Sequence, residues 1–152
     1  IDQGADIITQ HTDSPAPLQV AENRGVKGFG QASDMIKFAP KAQLSAIVNN
    51  WGAYYVERTK AMMNGSWKSQ DVWYGLKEGM VEMAPYTNMP SDAAALAKKT
   101  EEAIRSGDLH PFTGPIKDQS GKLVVEADKI ADAGMLLGMN FYVEGVQGSL
   151  PK

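Results

Sequence analysis

Cysteine is absent from the 152 residues, which excludes disulfides, thiolate metal sites and a cysteine nucleophile. That absence leaves the compartment open, because secreted domains of this size can fold without disulfides. Histidine occurs twice, at His11 and His110, far apart and with no H-x-x-x-H pair or Asp-rich calcium loop. No metal site is expected. No apolar run approaches the roughly eighteen residues of a membrane-spanning helix. The fifteen Lys and Arg form no basic run and the net charge is −3, so nucleic-acid binding is not expected. No G-x-S-x-G turn exposes a serine nucleophile, and no internal repeat or low-complexity tract is present.

What the chain does have is a 43% apolar content, ample for a packed core. The opening IDQ reads as the tail of a helix closed by Gly4, with an N-terminal part expected upstream. Ala5 to Thr9 suits a buried parallel strand. SPAPLQVAENRG predicts a helix with Ser14 as N-cap, Pro15 at the first helical position and Gly25 at the end. GVKGFGQAS and AQLSAIVNN predict the second and third strands. A helix follows from about Gly52 to Met63. DVWYGLKEGMVEMAPY reads as extended chain broken by Gly75 and Gly79. PSDAAALAKKTEEAIRSGDL is the clearest helix. Ser91 or Asp92 caps it, Ala93, Leu96, Ala97 and Ile104 share a face, Glu101 and Arg105 pair, and Gly107 stops it. PFTGPIKDQSGKLVVEA predicts a hairpin around Gln119-Ser120-Gly121. Met135 to Met139, with Phe141, Tyr142 and Val143, forms a last apolar segment.

This order of strands and helices predicts an α/β fold, a mostly parallel sheet with helices on both faces. Ligands of such sheets sit beyond the carboxyl ends of the strands. Three exits therefore become the candidate site: Gln10-His11-Thr12-Asp13, Gln31-Ala32-Ser33-Asp34, and Asn49-Asn50-Trp51. All three are polar, and the last carries a large aromatic. Of the residues in them, Gln10, His11, Thr12, Asp13, Gln31, Ala32, Asp34, Asn49 and Trp51 are the candidate ligand contacts.

Other chemistries fit less well. His11, Asp13 and Ser14 are nearly adjacent at a helix entrance, whereas a triad is assembled from separate segments. No catalytic residue and no cofactor is expected. Gly25, Gly28 and Gly30 have the wrong spacing for a dinucleotide fingerprint, and Ser33 stands where its third glycine belongs. They read instead as a helix stop and as packing positions. Asp13 occupies the positive end of the helix that follows, which disfavours an anionic ligand. Trp51 either stacks a planar ligand or packs its own turn; the amides of Asn49 and Asn50 beside it suit a heterocycle edge.

QGADIITQHTDSPAPLQVAENRG, KGFGQASDM, AQLSAIVNNWGAYYVE, FTGPIKDQSGK and GMNFYVEGVQG together resemble the basic membrane protein family. These are bacterial solute-binding lipoproteins of ABC transporters, related to purine-nucleoside receptors. The resemblance implies a type 1 periplasmic-binding-protein lobe, with residues 1–152 as the C-terminal lobe plus hinge segments and an N-terminal lobe outside this chain. It further implies an ABC permease as partner, a periplasmic or cell-surface location, and membrane attachment only through a lipid anchor on the missing part. Nucleoside-binding members resemble GVDSDQ at the second exit, where the first Asp holds the ribose. This chain has Ala32 there and keeps Asp34. A family lysine near the third exit is matched by Asn49, and a glycine-rich turn at the first exit is replaced by HTDSPAP. These departures remove charge-assisted bonds to a ribose. The expected ligand is a free purine base, adenine favoured; a nucleoside, a flavin-like ring, a polyol, or the effector of a regulator lobe are the alternatives.

Overall fold

In a computed structural model the chain is described over residues 1–151 and forms two compact units, Ile1–Ser106 and Gly107–Lys152. The first holds β1 (Ile7–Ile8), α1 (Ala16–Asn23), β2 (Lys27–Gly30), β3 (Gln43–Asn49), α2 (Trp51–Met63), β4 (Val81–Met83) and α3 (Ser91–Ser106). Its sheet has the order β1-β2-β3-β4; the first three strands are parallel and β4 is antiparallel to β3. The mostly parallel α/β sheet expected from the sequence is present.

The core lies between α1 and the sheet. Leu18, Ala21, Met35, Ala39 and Ala42 are buried together, with Ile8 and Val26 against them. Two strand glycines permit this approach. A Cβ on Gly28 would lie 2.7 Å from Leu18 Cδ2, and one on Gly30 would lie 2.7 Å from Ala46 Cβ and 3.2 Å from Gln43 Oε1. Gly25 closes α1 at φ +70°. The glycines therefore act as a helix stop and as packing positions, as the spacing indicated. On the opposite face of the sheet, Ile7 and Ile47 remain 49% and 41% exposed.

The strands are shorter than their sequence patterns. β1 keeps two residues of the Ala5–Thr9 run and β2 four of GVKGFGQAS. Residues 1–4 make a single turn, Gly4 N donating to Ile1 O at 2.9 Å with Gly4 at φ +89°, where a helix tail was expected. α1 starts one residue later than Ser14 implied: Pro15 is the N-cap, and Ser14 Oγ accepts from Ala16 N at 3.2 Å from outside the helix. Most of DVWYGLKEGMVEMAPY is turn. Met80 N and Val81 N both donate to Gly75 O, so only Val81–Met83 extends as β4.

α3 is built from strong helix formers, but it begins at Ser91, so Ser91 and Asp92 lie inside its first turn rather than capping it. The half-buried face runs through Ala94, Ala97, Glu101 and Ile104, and Leu96 is 67% exposed. A polar contact reinforces that face: Tyr86 Oη donates to Glu101 Oε2 at 3.1 Å and Arg105 Nη2 to Glu101 Oε1 at 2.8 Å. Burial, then the Glu101 carboxylate, pushes the Tyr86 hydroxyl up to about 12.

The second unit pairs β5 (Ile116–Lys117) with β6 (Leu123–Val125), the hairpin expected around Gln119-Ser120-Gly121, and adds the short α4 (Ala133–Leu137). The Gly114–Pro115 peptide is cis. The two most specific sequence motifs lie side by side here. Glu144 N donates to Lys117 O, Gln119 N to Tyr142 O, and Gln119 Nε2 to Val146 O at 2.7 Å. The 118–122 turn closes on one carboxylate oxygen. Asp118 Oδ1 accepts from Ser120 N at 2.8 Å, Ser120 Oγ at 2.6 Å and Lys122 N at 3.1 Å. The Ser120 hydroxyl bond, opposed by desolvation and assisted by the Lys122 and Ser120 amides, holds this carboxyl below the usual carboxylate range.

A depressed folded pKa stabilises the turn above the unfolded value of about 3.9, and the contribution is lost as pH falls through the lower folded value. Amide exchange at Ser120 and Lys122 is therefore expected to accelerate on acidification below about pH 4 relative to an amide paired between β5 and β6. Asp118→Asn should remove that pH response. An unchanged acid response in the variant would locate its source elsewhere.

Candidate functional site

Because β1, β2 and β3 are parallel neighbours, their carboxyl ends emerge on one side, and hydrogen bonds tie the exits together. From the first exit, Gln10 Nε2 reaches Phe29 O at 3.4 Å and Met35 Sδ at 3.6 Å. From the third, Asn49 N donates to Ala32 O at 3.1 Å. The three segments read separately from the sequence thus form one continuous rim.

Within the rim, some candidate residues are committed to the protein and others are open. Gln10 uses both ends of its amide, since Oε1 accepts from Thr12 Oγ1 at 2.8 Å. Asp34 Oδ1 takes two bonds, from Gln43 Nε2 at 2.7 Å and Ile36 N at 3.0 Å, while Oδ2 has no partner among the described residues. The side chains of His11, Asp13, Gln31 and Asn49 make no hydrogen bond to the described residues. No bond joins His11, Asp13 and Ser14, so the adjacent triad residues are not assembled for nucleophilic attack. Among the described residues no three His, Asp or Glu side chains converge on a metal position.

Ala32 has φ 63°, in the left-handed region that a non-glycine residue rarely occupies. Its conformation turns the chain sharply out of β2 and presents its carbonyl to Asn49. Asn50, by contrast, faces away from the rim functions proposed for it. Its Nδ2 donates to Glu82 Oε1 at 3.0 Å and Gly79 O at 3.3 Å, cross-linking the start of α2 to β4.

Trp51 is the first residue of α2 and is 47% exposed. Its ring lies nearly parallel to that of Tyr55, one turn further on, at 5.7 Å and 18°. Tyr54 meets Trp51 edge-on at 6.4 Å and Tyr74 edge-on at 6.2 Å. The sequence reading named Trp51 alone. The WGAYY spacing, with aromatics at i, i+3 and i+4, was the available signal that it is backed by a cluster. Behind this cluster a hollow of about 220 Å³ is lined by Asn50, Tyr54, Glu57, Tyr74, Glu78 and Met80, among others.

The rim can therefore offer hydrogen-bond groups of both kinds, from carboxylate, amide and imidazole, beside an aromatic plane. No Lys or Arg lies among the three exit segments. Such a set suits a neutral, planar or polyhydroxyl solute rather than an anion.

Comparison with known proteins is consistent with this geometry. A purine-binding protein of Brucella abortus (strain 2308) is 62% identical over the whole chain, which spans 43% of that protein. A putative ABC transporter glucose-binding protein of Haloferax volcanii is 26% identical over 99% of the chain, which spans 36% of it. Among solved structures, a transcriptional activator of the comK gene from Bacillus halodurans matches 72% of this chain and 40% of its own, with TM-score 0.63 and 15% identity. An ABC transporter solute-binding protein from Conexibacter woesei matches 72% of this chain and 38% of its own, with TM-score 0.53 and 18% identity. At those identities the two structures establish the fold alone. The chain spans less than half the length of the curated relatives it matches. Residues 1–118 match the profile of the PnrA-like ABC transporter substrate-binding proteins, and with the 62% identical relative this shows that the chain belongs to that family.

Proposed function

We propose that this chain contributes one wall of the ligand crevice in the substrate-binding component of an ABC transporter, and that the ligand is a purine nucleobase, adenine favoured. The remainder of the polypeptide supplies the facing lobe, closure about the hinge traps the base, and a permease receives it outside the cytoplasm. The observation that carries this reading is the linked rim of three parallel strand exits, which holds two carboxylates and no Lys or Arg and is flanked by Trp51. Asp13 or Asp34 accepts from an exocyclic amine or ring N–H, while Trp51 or His11 packs on the ring. The name of the Brucella relative supports a purine. The missing carboxylate at Ala32 and missing ammonium at Asn49 favour the base over its nucleoside.

A second reading, a polyol such as glucose, is supported by the name of the Haloferax relative and by the same exposed amide and carboxylate groups. Isothermal titration of the full-length protein with adenine, guanine, hypoxanthine, adenosine and glucose separates the two. Adenine or another free base is expected to bind tightest. Strong binding of adenosine with no response to the bases would sink the nucleobase reading.

The reading also predicts a gain of function. Ala32→Asp restores the carboxylate at the position where nucleoside-binding relatives carry one. Aspartate tolerates the left-handed conformation better than alanine, so the fold is not expected to suffer. Adenosine affinity should rise about tenfold or more, the effect of one charge-assisted hydrogen bond. If the variant gains no nucleoside affinity, the ribose argument is wrong at this position.

A further inference from the structure

Gln43 is a buried polar residue in a strand, 1% exposed, and its side chain does not serve the sheet. It passes from β3 to the β2 exit, where Oε1 accepts from Met35 N at 3.0 Å and Nε2 donates to Asp34 Oδ1 at 2.7 Å. Two features of the backbone make room for it. The β2–β3 register shifts between Gly28 and Phe29, which pair with Gln43 and Ser45, leaving Leu44 as the extra residue of a bulge. The bulge brings Gln43 and Ala46, three residues apart, to the same side of the sheet, where both lie against Gly30. The absence of a side chain at Gly30 leaves the path open.

Gln43 is itself anchored. Its carbonyl accepts from Thr87 Oγ1 at 2.7 Å and Asn88 Nδ2 at 2.8 Å, and its amide donates to Ala39 O at 3.0 Å. A residue held this firmly transmits the position of the central strand to the loop. The consequence for Asp34 is chemical. With Oδ1 taken by Gln43 and Ile36 N, the carboxylate cannot rotate freely, and Oδ2 is the oxygen left to accept.

We infer that Gln43 is a positioning residue, which fixes Asp34 so that Oδ2 accepts a donor hydrogen from the ligand, a ring or amine N–H of the base. This inference rests on the proposed function, and it adds a residue that touches no ligand.

A double-mutant cycle in the full-length protein tests it, with adenine Kd measured below the melting temperature of every variant. Asp34→Asn keeps an acceptor for Gln43 and Ile36 N but replaces Oδ2 by a donor, so its Kd should rise about tenfold or more with little change in Tm. Gln43→Met should raise Kd about tenfold in the wild-type background and have no further effect on Kd in the Asp34→Asn background, because the group it positions is already gone. A purely structural Gln43 would weaken binding equally in both backgrounds, and that additivity would overturn the inference, as would wild-type affinity in Asp34→Asn. If Gln43→Met does not fold, Gln43→Glu replaces it in the cycle, since it keeps the acceptor for Met35 N and replaces the donor to Asp34 by a second carboxylate that repels it. Should the wild-type protein bind glucose and no base, the nucleobase reading fails while the same cycle, run with glucose, still decides the role of Gln43.

Discussion

Trp51→Ala is expected to weaken purine-base binding by roughly 5- to 150-fold, the range that corresponds to the ~1–3 kcal/mol of a base stacked on an aromatic ring. The argument starts from placement. Trp51 follows the exposed Asn49 at the end of β3 and opens α2, so its ring stands at the rim rather than in the core. One face is covered by Tyr55 at 5.7 Å, and Tyr54 and Tyr74 extend the cluster behind it. A ring supported in this way is held in orientation before the ligand arrives, which reduces the ordering cost of stacking. Trp51 is 47% exposed and its side chain makes no hydrogen bond among the described residues, so its removal should shift the Tm little. The measurement that separates stacking from packing is therefore calorimetric Kd beside the melt. Trp51→Phe should retain most of the affinity. An alanine variant with lowered Tm and unchanged Kd would mean that Trp51 serves its own helix only.

The exits were legible in the sequence because each follows a segment of strand character and opens a run of polar residues. QHTD after ADIIT, QASD after KGFG and NNW after AQLSAIV all mark the point where burial ends. The parallel arrangement of β1, β2 and β3 then places them on one side, which is a property of α/β connectivity rather than of any single residue. What escaped is what depends on contacts between segments. Gln43 reads as an ordinary polar residue in AQLSAIVNN; only the bulge and the vacant side of Gly30 reveal that it reaches the neighbouring loop. Gln10 reads as a ligand contact, yet its amide is used on Phe29, Met35 and Thr12. Strand lengths also escaped. Hydrophobic pattern marks what can be buried, whereas pairing partners decide how much is extended, and Gly75 and Gly79 close a turn where the pattern continued. Leu96 shows the same limit on a helix: its periodicity groups it with Ala93, Ala97 and Ile104, but the half-buried face runs through Ala94, Ala97, Glu101 and Ile104 and leaves Ala93 and Leu96 exposed.

Gly114→Ala is expected to destabilise the second unit by on the order of 3 kcal/mol or more, at or beyond the upper end of overpacking costs. Gly114 is the first glycine of the FTGPIKDQSGK motif, and its backbone is pressed against β6. A Cβ there would lie 2.0 Å from Glu126 O and 2.7 Å from Val125 O, both backbone atoms that no rotamer change can move aside. Gly114 also donates to Lys129 O at 2.7 Å and accepts from Asp128 N at 3.3 Å, so displacing it breaks the pairing that continues through Thr113 and Ile130. The unit has little to absorb such a change, because Val125 and Ala131 are its only buried apolar residues among those described. Hydrogen exchange in the full-length protein should therefore show lost protection at Ile116, Lys117 and Leu123 to Val125, with the sheet of the first unit keeping its protection near the core around Leu18. The conservative control is Gly121→Ala, at φ +83° but with open space around it, where only the cost of the left-handed turn is expected, about 1 kcal/mol. Gly114 itself lies outside the left-handed region, so equal effects from the two alanines would show that β6 moves aside and that its approach does not require glycine at Gly114.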